Sequence, residues 1–267
     1  MFSIMNLLIR QFRNWDIYSK VAFILALILF FVIGFVGFTL PPDQRGNALI
    51  GLAGVLIVMQ AIFLWANRGM VTPFTKAQRH YLAGEFEAAR DILEALRSAG
   101  DADMRALTLL GNTYRQLGDL SASHAVLEES LAIAPNHHFP RYGFGRTLLV
   151  SGQYAEAVDY FMGALETGAP PTVQIDLAEA RYRSGERGGA VVRPLHQARD
   201  AAESEPHRAL MAAYLLYRLD VEAAPAPDLI EAGIAYWRAE AERFEHTAYG
   251  IALSNDLNRL EAFTREG

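Results

Sequence analysis

The stretch "LLGNTYRQLGDLSASHAVLEESLAIAP", which runs from Leu109 to Pro135, decides the fold of most of this 267-residue chain. Apolar residues recur every three or four positions on either side of Gly118-Asp119, a pattern typical of two short amphipathic helices. Glycine ends the first helix because it readily adopts the left-handed backbone of a tight turn. Pro135 ends the second, since proline lacks the amide hydrogen that a helix needs. The stretch therefore predicts a helix–turn–helix unit.

The same unit occurs three times in register. Its copies are "LAGEFEAARDIL" (82–93), "QLGDLSASHAVL" (116–127) and "VSGQYAEAVDYF" (150–161), which superpose without gaps. Four sets of residues follow one step of 34 residues: Gly84, Gly118 and Gly152; Phe86, Leu120 and Tyr154; Ala89, Ser123 and Ala157; Leu93, Leu127 and Phe161. A fixed period of this length predicts stacked helix pairs, each of which hides its apolar face against the next.

A fourth copy, "RSGERGGAVVRP" (183–194), is less regular. Its turn glycine, Gly185, comes one residue early, and Gly188-Gly189 and Pro194 fall where the second helix should run. Proline inside a helix costs about 3 kcal/mol and each glycine up to about 1 kcal/mol. We therefore expect this helix to be short or kinked.

The copies resemble the tetratricopeptide repeat family. In the first helix of the second copy, Leu107, Leu110, Gly111 and Tyr114 fall at that family's Trp-, Leu-, Gly- and Tyr-type positions. The chain departs from the pattern in having no Trp at the first position, Ser123 for Ala, and His80 and Leu148 for Tyr. The resemblance covers about residues 70–200 and implies an all-α fold, a right-handed α-solenoid. Its repeats would span about 70–103, 104–137, 138–170 and 171–203.

The last part of the chain, 204–267, predicts a degenerate repeat helix and a closing helix. The first is expected at about 206–219, and "EAAPAPD" then breaks the chain. Beyond it, apolar residues alternate at three and four positions from Ile230 to Ile251, which predicts one long amphipathic helix with Asp228 as its N-cap. A helix here would cap the open apolar face of the last repeat. A dimerising helix is the alternative.

Two apolar stretches near the N-terminus predict a transmembrane hairpin at 21–66. Residues 21–40 carry no charge, and a helix of that length spans about 30 Å, the thickness of a bilayer's hydrocarbon core. Residues 48–66 form the second span after the short loop "PPDQRGN". Gln60 would hydrogen-bond within the hairpin or to a partner's span, or be a tolerated lone amide. Four glycines would allow close helix packing: Gly34, Gly37, Gly51 and Gly54.

The placing of basic residues predicts the orientation of the hairpin. They flank it at both ends, whereas the connecting loop has only Arg45: Arg10, Arg13 and Lys20 precede it, and Arg68, Lys76 and Arg79 follow. The positive-inside rule then places both termini and the repeats in the cytoplasm. With 22 arginines against two lysines, the composition indicates a GC-rich bacterium and hence its inner membrane. Residues 1–20 would form an amphipathic helix, either on the membrane surface or against another subunit.

Composition and motifs exclude several classes of function. After residue 66 the chain has 28 acidic and 20 basic residues, so its net charge of −8 disfavours nucleic-acid binding. The absence of cysteine excludes disulfides and thiolate metal sites. The sequence has no phosphate-binding loop, paired metal-binding histidines or nucleophile elbow. We therefore predict no enzymatic activity, no cofactor and no metal, and assign Asn136-His137-His138 to an ordinary turn.

The family resemblance implies that a peptide binds in a concave groove lined by the first helix of each repeat. Carried over position by position, the groove residues are Phe74, Gln78, Tyr81, Arg105, Asn112, Arg115, Tyr142, Arg146, Glu179 and Tyr182. Val71, Thr108, Phe139, Leu149, Thr172 and Ile175 share this face. Arginine and tyrosine often anchor interfaces, although each residue could equally be an ordinary solvated one. The basic clamp of chaperone-tail-binding members is absent.

These observations predict a membrane-anchored scaffold or adaptor that binds a protein or peptide partner through the groove on the cytoplasmic side. Tethering would raise the local concentration of the solenoid near membrane complexes. The alternative is an accessory structural subunit or assembly factor of a larger membrane complex, in which the hairpin packs against other spans and the solenoid is a fixed wall.

Overall fold

A computed structural model of the chain describes residues 12, 15, 17–41, 44–67 and 72–266. The described part is all-α, without strands. It divides into two compact units, Met1–Thr72 and Pro73–Gly267, which are treated separately below.

The first unit contains two long helices, α1 (Ile17–Thr39) and α2 (Arg45–Asn67), packed side by side. Both are long and apolar enough to cross a membrane, and their apolar side chains are largely exposed. The helices approach closely at Gly37, where an added Cβ would lie 2.7 Å from the Cβ of Ala48. Gly54 was also expected to allow close packing of the two helices. It is not a point of close approach, because an added Cβ there would meet nothing within 4 Å.

Aromatic residues join the start of α1 to the end of α2. The ring of Trp15 lies 5.4 Å from that of Phe23 and 5.6 Å from that of Phe63, both edge-on. The amphipathic helix expected over residues 1–20 falls mostly outside the described residues.

The second unit begins with four helix pairs, one in each expected repeat. Their helices are α3 (Pro73–Leu82), α4 (Phe86–Ser98), α5 (Met104–Gln116), α6 (Leu120–Ile133), α7 (His138–Val150), α8 (Tyr154–Glu166), α9 (Val173–Arg183) and α10 (Gly189–Ala198). The turn glycine of each pair has a positive φ, +81° at Gly118, which glycine adopts without steric cost. As expected, α10 is short, ten residues with Pro194 inside, and a 3-10 turn, Asp200–Ala202, follows it.

Small residues set the spacing between helices of the repeats. An added Cβ at Gly111 would lie 2.4 Å from Cγ of Leu127, so only glycine lets α6 lie this close to α5. Ser123 departs from the family's alanine for a visible reason: its hydroxyl is fully buried and hydrogen-bonds that of Thr147 at 2.8 Å.

Three helices close the chain: α11 (Pro206–Arg218), α12 (Pro227–Arg243) and α13 (Ala248–Glu266). The prediction of a single long closing helix was wrong, because the chain turns between α12 and α13. The hydroxyl of Thr247 accepts a hydrogen bond from the backbone N–H of Gly250 at 3.1 Å. The turn also requires glycine at 250, because an added Cβ there would lie 2.0 Å from the carbonyl oxygen of Phe244. Ala226, and not Asp228, is the N-cap of α12.

The closing helices share a hydrophobic core with the later repeats. Trp237, Phe244, Tyr249 and Leu253 are buried in one cluster with residues of α7 to α11. Because these side chains are integral to that core, α12 and α13 are fixed parts of the repeat unit.

Candidate functional site

The helix α12 lies along the groove that the first helices of the repeats form. Near its middle, Nε1 of Trp237 donates to the carbonyl of His207 at 3.0 Å, on α11. At its end, the carbonyl oxygen of Arg243 lies 3.8 Å from the position of a Cβ on Gly118, in the turn of the second repeat. The helix therefore crosses the groove from α11 towards the second repeat, and the later half of the groove is filled by the chain itself.

Arg146 is the centre of the contacts between α12 and the groove. Its guanidinium donates to Asp176 at 2.8 Å and to Glu240 of α12 at 2.9 Å, and all three side chains are buried. The other oxygen of Glu240 accepts from the hydroxyl of Tyr249 at 3.0 Å. Burial by itself lowers the pKa of Arg146, but Glu240 and Asp176 outweigh it, so that the pKa lies well above its ordinary value. Arg146 is therefore a charged internal link.

A second part of the network ties α11 to the groove through Asp176. Arg208 pairs with this carboxylate at 3.0 Å and also donates to the hydroxyl of Tyr142. The hydroxyl of Tyr142 in turn donates to Asp176 at 3.4 Å. Burial raises the pKa of Tyr142 to about 12, so the phenol keeps its proton and its role as a donor.

A third part of the network joins α9 to α13. Arg183 pairs with Glu179 at 2.8 Å and with Asp256 at 3.3 Å, and Asp256 also accepts from the hydroxyl of Tyr214 at 2.6 Å. The pKa of Glu179 lies above its ordinary value, chiefly because of burial, although Arg183 and Arg146 act to lower it. The predicted groove residue Tyr182 is half-buried, with the guanidinium of Arg187 4.1 Å from its ring centroid.

The predicted groove residues thus fall into two groups. Tyr142, Arg146 and Glu179 make their polar contacts within the chain, with residues of α9, α11 and α12. Arg115 is buried too and donates to Oδ1 of Asn112 at 2.8 Å. Of the other residues on this face, Thr108, Leu149, Thr172 and Ile175 are buried, Phe139 is half-buried, and Val71 lies outside the described residues.

Apart from the buried Thr108 and Arg115, the described groove residues of the first two repeats are at least partly accessible. Gln78 and Arg105 are exposed, and Phe74, Tyr81 and Asn112 are half-buried. The guanidinium of Arg105 lies 4.8 Å from the ring centroid of Phe74, a cation–π arrangement that holds both side chains at the surface.

A cleft of about 320 Å³ lies where this accessible half meets α12. Its lining residues are Tyr81, Leu82, Phe86, Gln116, Tyr236, Ala239, Glu240 and Arg243. Leu82, one of these lining residues, is 77% exposed. We call this cleft, together with Phe74, Gln78, Arg105 and Asn112, the open half of the groove.

Of the eight residues that line the cleft, the sequence pattern placed only Tyr81 in the groove, and it missed the other seven, among them Leu82, Gln116 and Tyr236. Leu82 and Gln116 directly follow the predicted groove positions Tyr81 and Arg115, so a wider choice of positions would have included them. Tyr236 had no such signal, because its place depends on the course of α12 across the groove.

The histidines of the turn between the second and third repeats have a local role. Nδ1 of His137 accepts a hydrogen bond from the backbone N–H of Phe139 at 3.1 Å and so caps α7. The ring of His137 stacks on that of His138. Within the described residues, no group of three His, Cys, Asp or Glu side chains is placed to hold a metal ion.

Comparisons with known proteins identify one repeat directly. Residues 105–137 match the family model of the tetratricopeptide repeat. The chain is similar to a crystal structure of MamA, with 16% identity over 64% of this chain and 95% of that one and a TM-score of 0.46. It is also similar to the structure "MamA MSR-1 C2", with 22% identity over 64% of this chain and 94% of that one and a TM-score of 0.45. No curated protein matches.

The repeat match and the helix pairs agree on the class of protein. Residues 105–137 match a tetratricopeptide repeat, and the described residues form an all-α fold of repeated helix pairs. Such repeats form scaffolds that mediate protein–protein interactions and are typically not enzymes.

Proposed function

We propose that this protein is a membrane-anchored scaffold, with no catalytic activity, that binds a protein partner in the open half of its groove. The observation that carries the proposal is the exposure of Leu82 beside a cleft rich in aromatic side chains. The later half of the groove offers no equivalent surface, because α12 and the buried ion pairs fill it.

The chemistry of the open half suits a peptide or a partner helix. Leu82, Phe86 and Tyr236 offer apolar area, and such side chains anchor interfaces when a partner buries them. Gln78 and Gln116 bring amide groups that can donate to and accept from a peptide backbone. Arg105 adds one exposed cation at the rim.

The membrane anchor is the hairpin of α1 and α2. Its exposed apolar side chains would be covered by lipid, which supports the proposal that both helices span the bilayer. The basic residues on both sides of the hairpin favour a cytoplasmic repeat unit, in a bacterial inner membrane. Anchoring would confine the open half to the membrane surface and raise its effective concentration for a partner there.

An accessory structural subunit or assembly factor of a membrane complex is the second candidate. The observation that favours it is the filled half of the groove, since a solenoid with half of its groove closed can serve as a rigid wall. In that case the stable contacts would come from the hairpin and the outer surface of the repeats.

A pair of matched variants separates the two candidates. Leu82→Asp places a charge in the open half, whereas Ile133→Asp places one at an exposed site, 58% accessible, on the second helix of a repeat. The partner would be quantified by mass spectrometry after extraction of native membranes in mild detergent. Loss of a central anchor of about 2 kcal/mol corresponds to a decrease of about thirtyfold.

We expect Leu82→Asp to lose the partner and Ile133→Asp to keep it, with unchanged helical circular dichroism in both. Equal retention by the two variants would rule out the open half as the binding site and favour the structural-subunit candidate.

A further inference from the structure

We propose that α2 pairs in the membrane with α2 of a second copy of this chain, through a stripe centred on Gln60. The stripe comprises Ala53, Ile57, Gln60 and Leu64, and we call it the Gln60 stripe. The inference rests on the proposed membrane anchoring. It names an interaction surface that lies apart from the groove.

Gln60 is an exposed polar side chain within the apolar run of α2. Its side chain makes no hydrogen bond with any residue in the part of the chain that the structure describes. The hydroxyl of Thr39 differs, because it donates to the carbonyl of Val36 at 2.8 Å in its own helix. Gln60 lies seven residues before the last residue of α2, Asn67. At 1.5 Å per residue it is therefore about 10 Å inside the end of the helix.

At that depth a bilayer offers no water to an amide group. An unsatisfied polar group in hydrocarbon costs several kcal/mol, so polar side chains of membrane helices usually face a protein partner. The α1 helix does not supply one, since it packs on another side of α2, near the buried Val55. The partner must therefore come from outside the hairpin.

The residues around Gln60 form a surface that another helix can contact. Ala53, Ile57, Gln60 and Leu64 follow at steps of four, three and four, the spacing of a left-handed helix pair. Ile57 is 71% exposed and Leu64 is 60% exposed, so the stripe is uncovered along its length. Ala53 is small enough to let two backbones approach.

A second copy is the occupant that this stripe fits best. A glutamine amide both donates and accepts, so two of them related by a two-fold axis satisfy each other. All copies cross the membrane in the same direction, so the second Gln60 arrives at the same depth without further adjustment. An unrelated helix would need its own polar residue at that depth.

The absence of cysteine allows a direct test in the full-length chain. Leu64→Cys places a thiol on the Gln60 stripe. Val58→Cys is the matched control, 52% exposed on the same helix but off the stripe. Each variant would be oxidised in native membranes, and the disulfide-linked dimer quantified on non-reducing gels. Insertion would be measured on the same membranes by resistance to alkaline carbonate extraction.

We expect Leu64→Cys to form the dimer and Val58→Cys to form little. Adding Gln60→Leu to Leu64→Cys should reduce the dimer about threefold to tenfold, the range that one interhelical hydrogen bond supplies, and Gln60→Asn should retain most of it. Equal cross-linking of both thiols in inserted protein, or no effect of Gln60→Leu, overturns the inference and leaves the anchoring intact. Release of the protein by carbonate overturns the anchoring and the inference with it.

Discussion

Arg146 is the residue on which the closed half of the groove depends most. It pairs with Asp176 of α9 and with Glu240 of α12, so one guanidinium links three elements that are far apart in the chain. Two buried carboxylates without this cation would lie close together in a medium of low dielectric constant. Removing one partner of such a buried pair leaves an uncompensated charge.

We predict that Arg146→Met destabilises the repeat unit by about 3–5 kcal/mol. The change keeps an apolar stem of similar length but leaves Asp176 and Glu240 without their shared cation. Arg238→Met is the control, because Arg238 pairs with Glu261 at 2.8 Å at the surface, where such a pair contributes about 0–1 kcal/mol. Urea unfolding followed by circular dichroism measures both. A loss below 1 kcal/mol for Arg146→Met would contradict the role assigned to it.

Single residues show where the sequence stops being informative. The 34-residue step places Arg146 and Glu179 on the groove face by position alone. It does not show that Glu240 and Arg183 neutralise them, because those contacts depend on how distant helices pack. Ser123 is a similar case: its departure from alanine is visible in the sequence, but its partner, Thr147, is not.

Helix pairs were the most predictable elements. Turn glycines and apolar periodicity located α3 to α10 because the signals are local and repeat at one period. The break between α12 and α13 was missed, since Thr247 and Gly250 interrupt an apolar pattern that otherwise continues across them. A Thr three residues before a Gly is a weak capping signal, and only the tight packing of Gly250 on Phe244 makes the turn specific.

At the level of elements, the contact of α5 with α6 is tested by Gly111→Ala. Alanine favours a helix interior over glycine by up to about 1 kcal/mol, yet its Cβ would lie 2.4 Å from Cγ of Leu127. Overpacking of this kind costs about 1–3 kcal/mol, so we expect net destabilisation in thermal unfolding.

Gly189→Ala is the matched control for that prediction. Gly189 is the first residue of α10, and an added Cβ there meets nothing within 4 Å. We expect this variant to be unchanged or slightly more stable. If Gly111→Ala were equally stable, the close approach of α5 and α6 would not be as the structure describes it.

At the level of the whole molecule, the closing helices determine how the scaffold can bind. A solenoid with an empty groove would offer a partner its full length, whereas in the proposed function this one would offer its first two repeats and the adjoining cleft. The sequence pattern predicted a cap on the last repeat. It did not predict that the closing helices would lie along the groove, because their course depends on contacts between residues about 90 positions apart, such as Arg146 and Glu240.

The claim that the closing helices cover the groove is tested most directly by an engineered disulfide. An added Cβ at Gly152 would lie 3.2 Å from the Cβ of Ala248, near the separation of about 3.5–4.5 Å that a disulfide spans. Gly84 is the equivalent turn glycine of the first repeat, with a similar positive φ and nothing within 4 Å of an added Cβ. The account predicts that the pair Gly152→Cys and Ala248→Cys closes on oxidation of the full-length chain, whereas Gly84→Cys with Ala248→Cys stays reduced. A reduced first pair, or equal closure of the two, would contradict it.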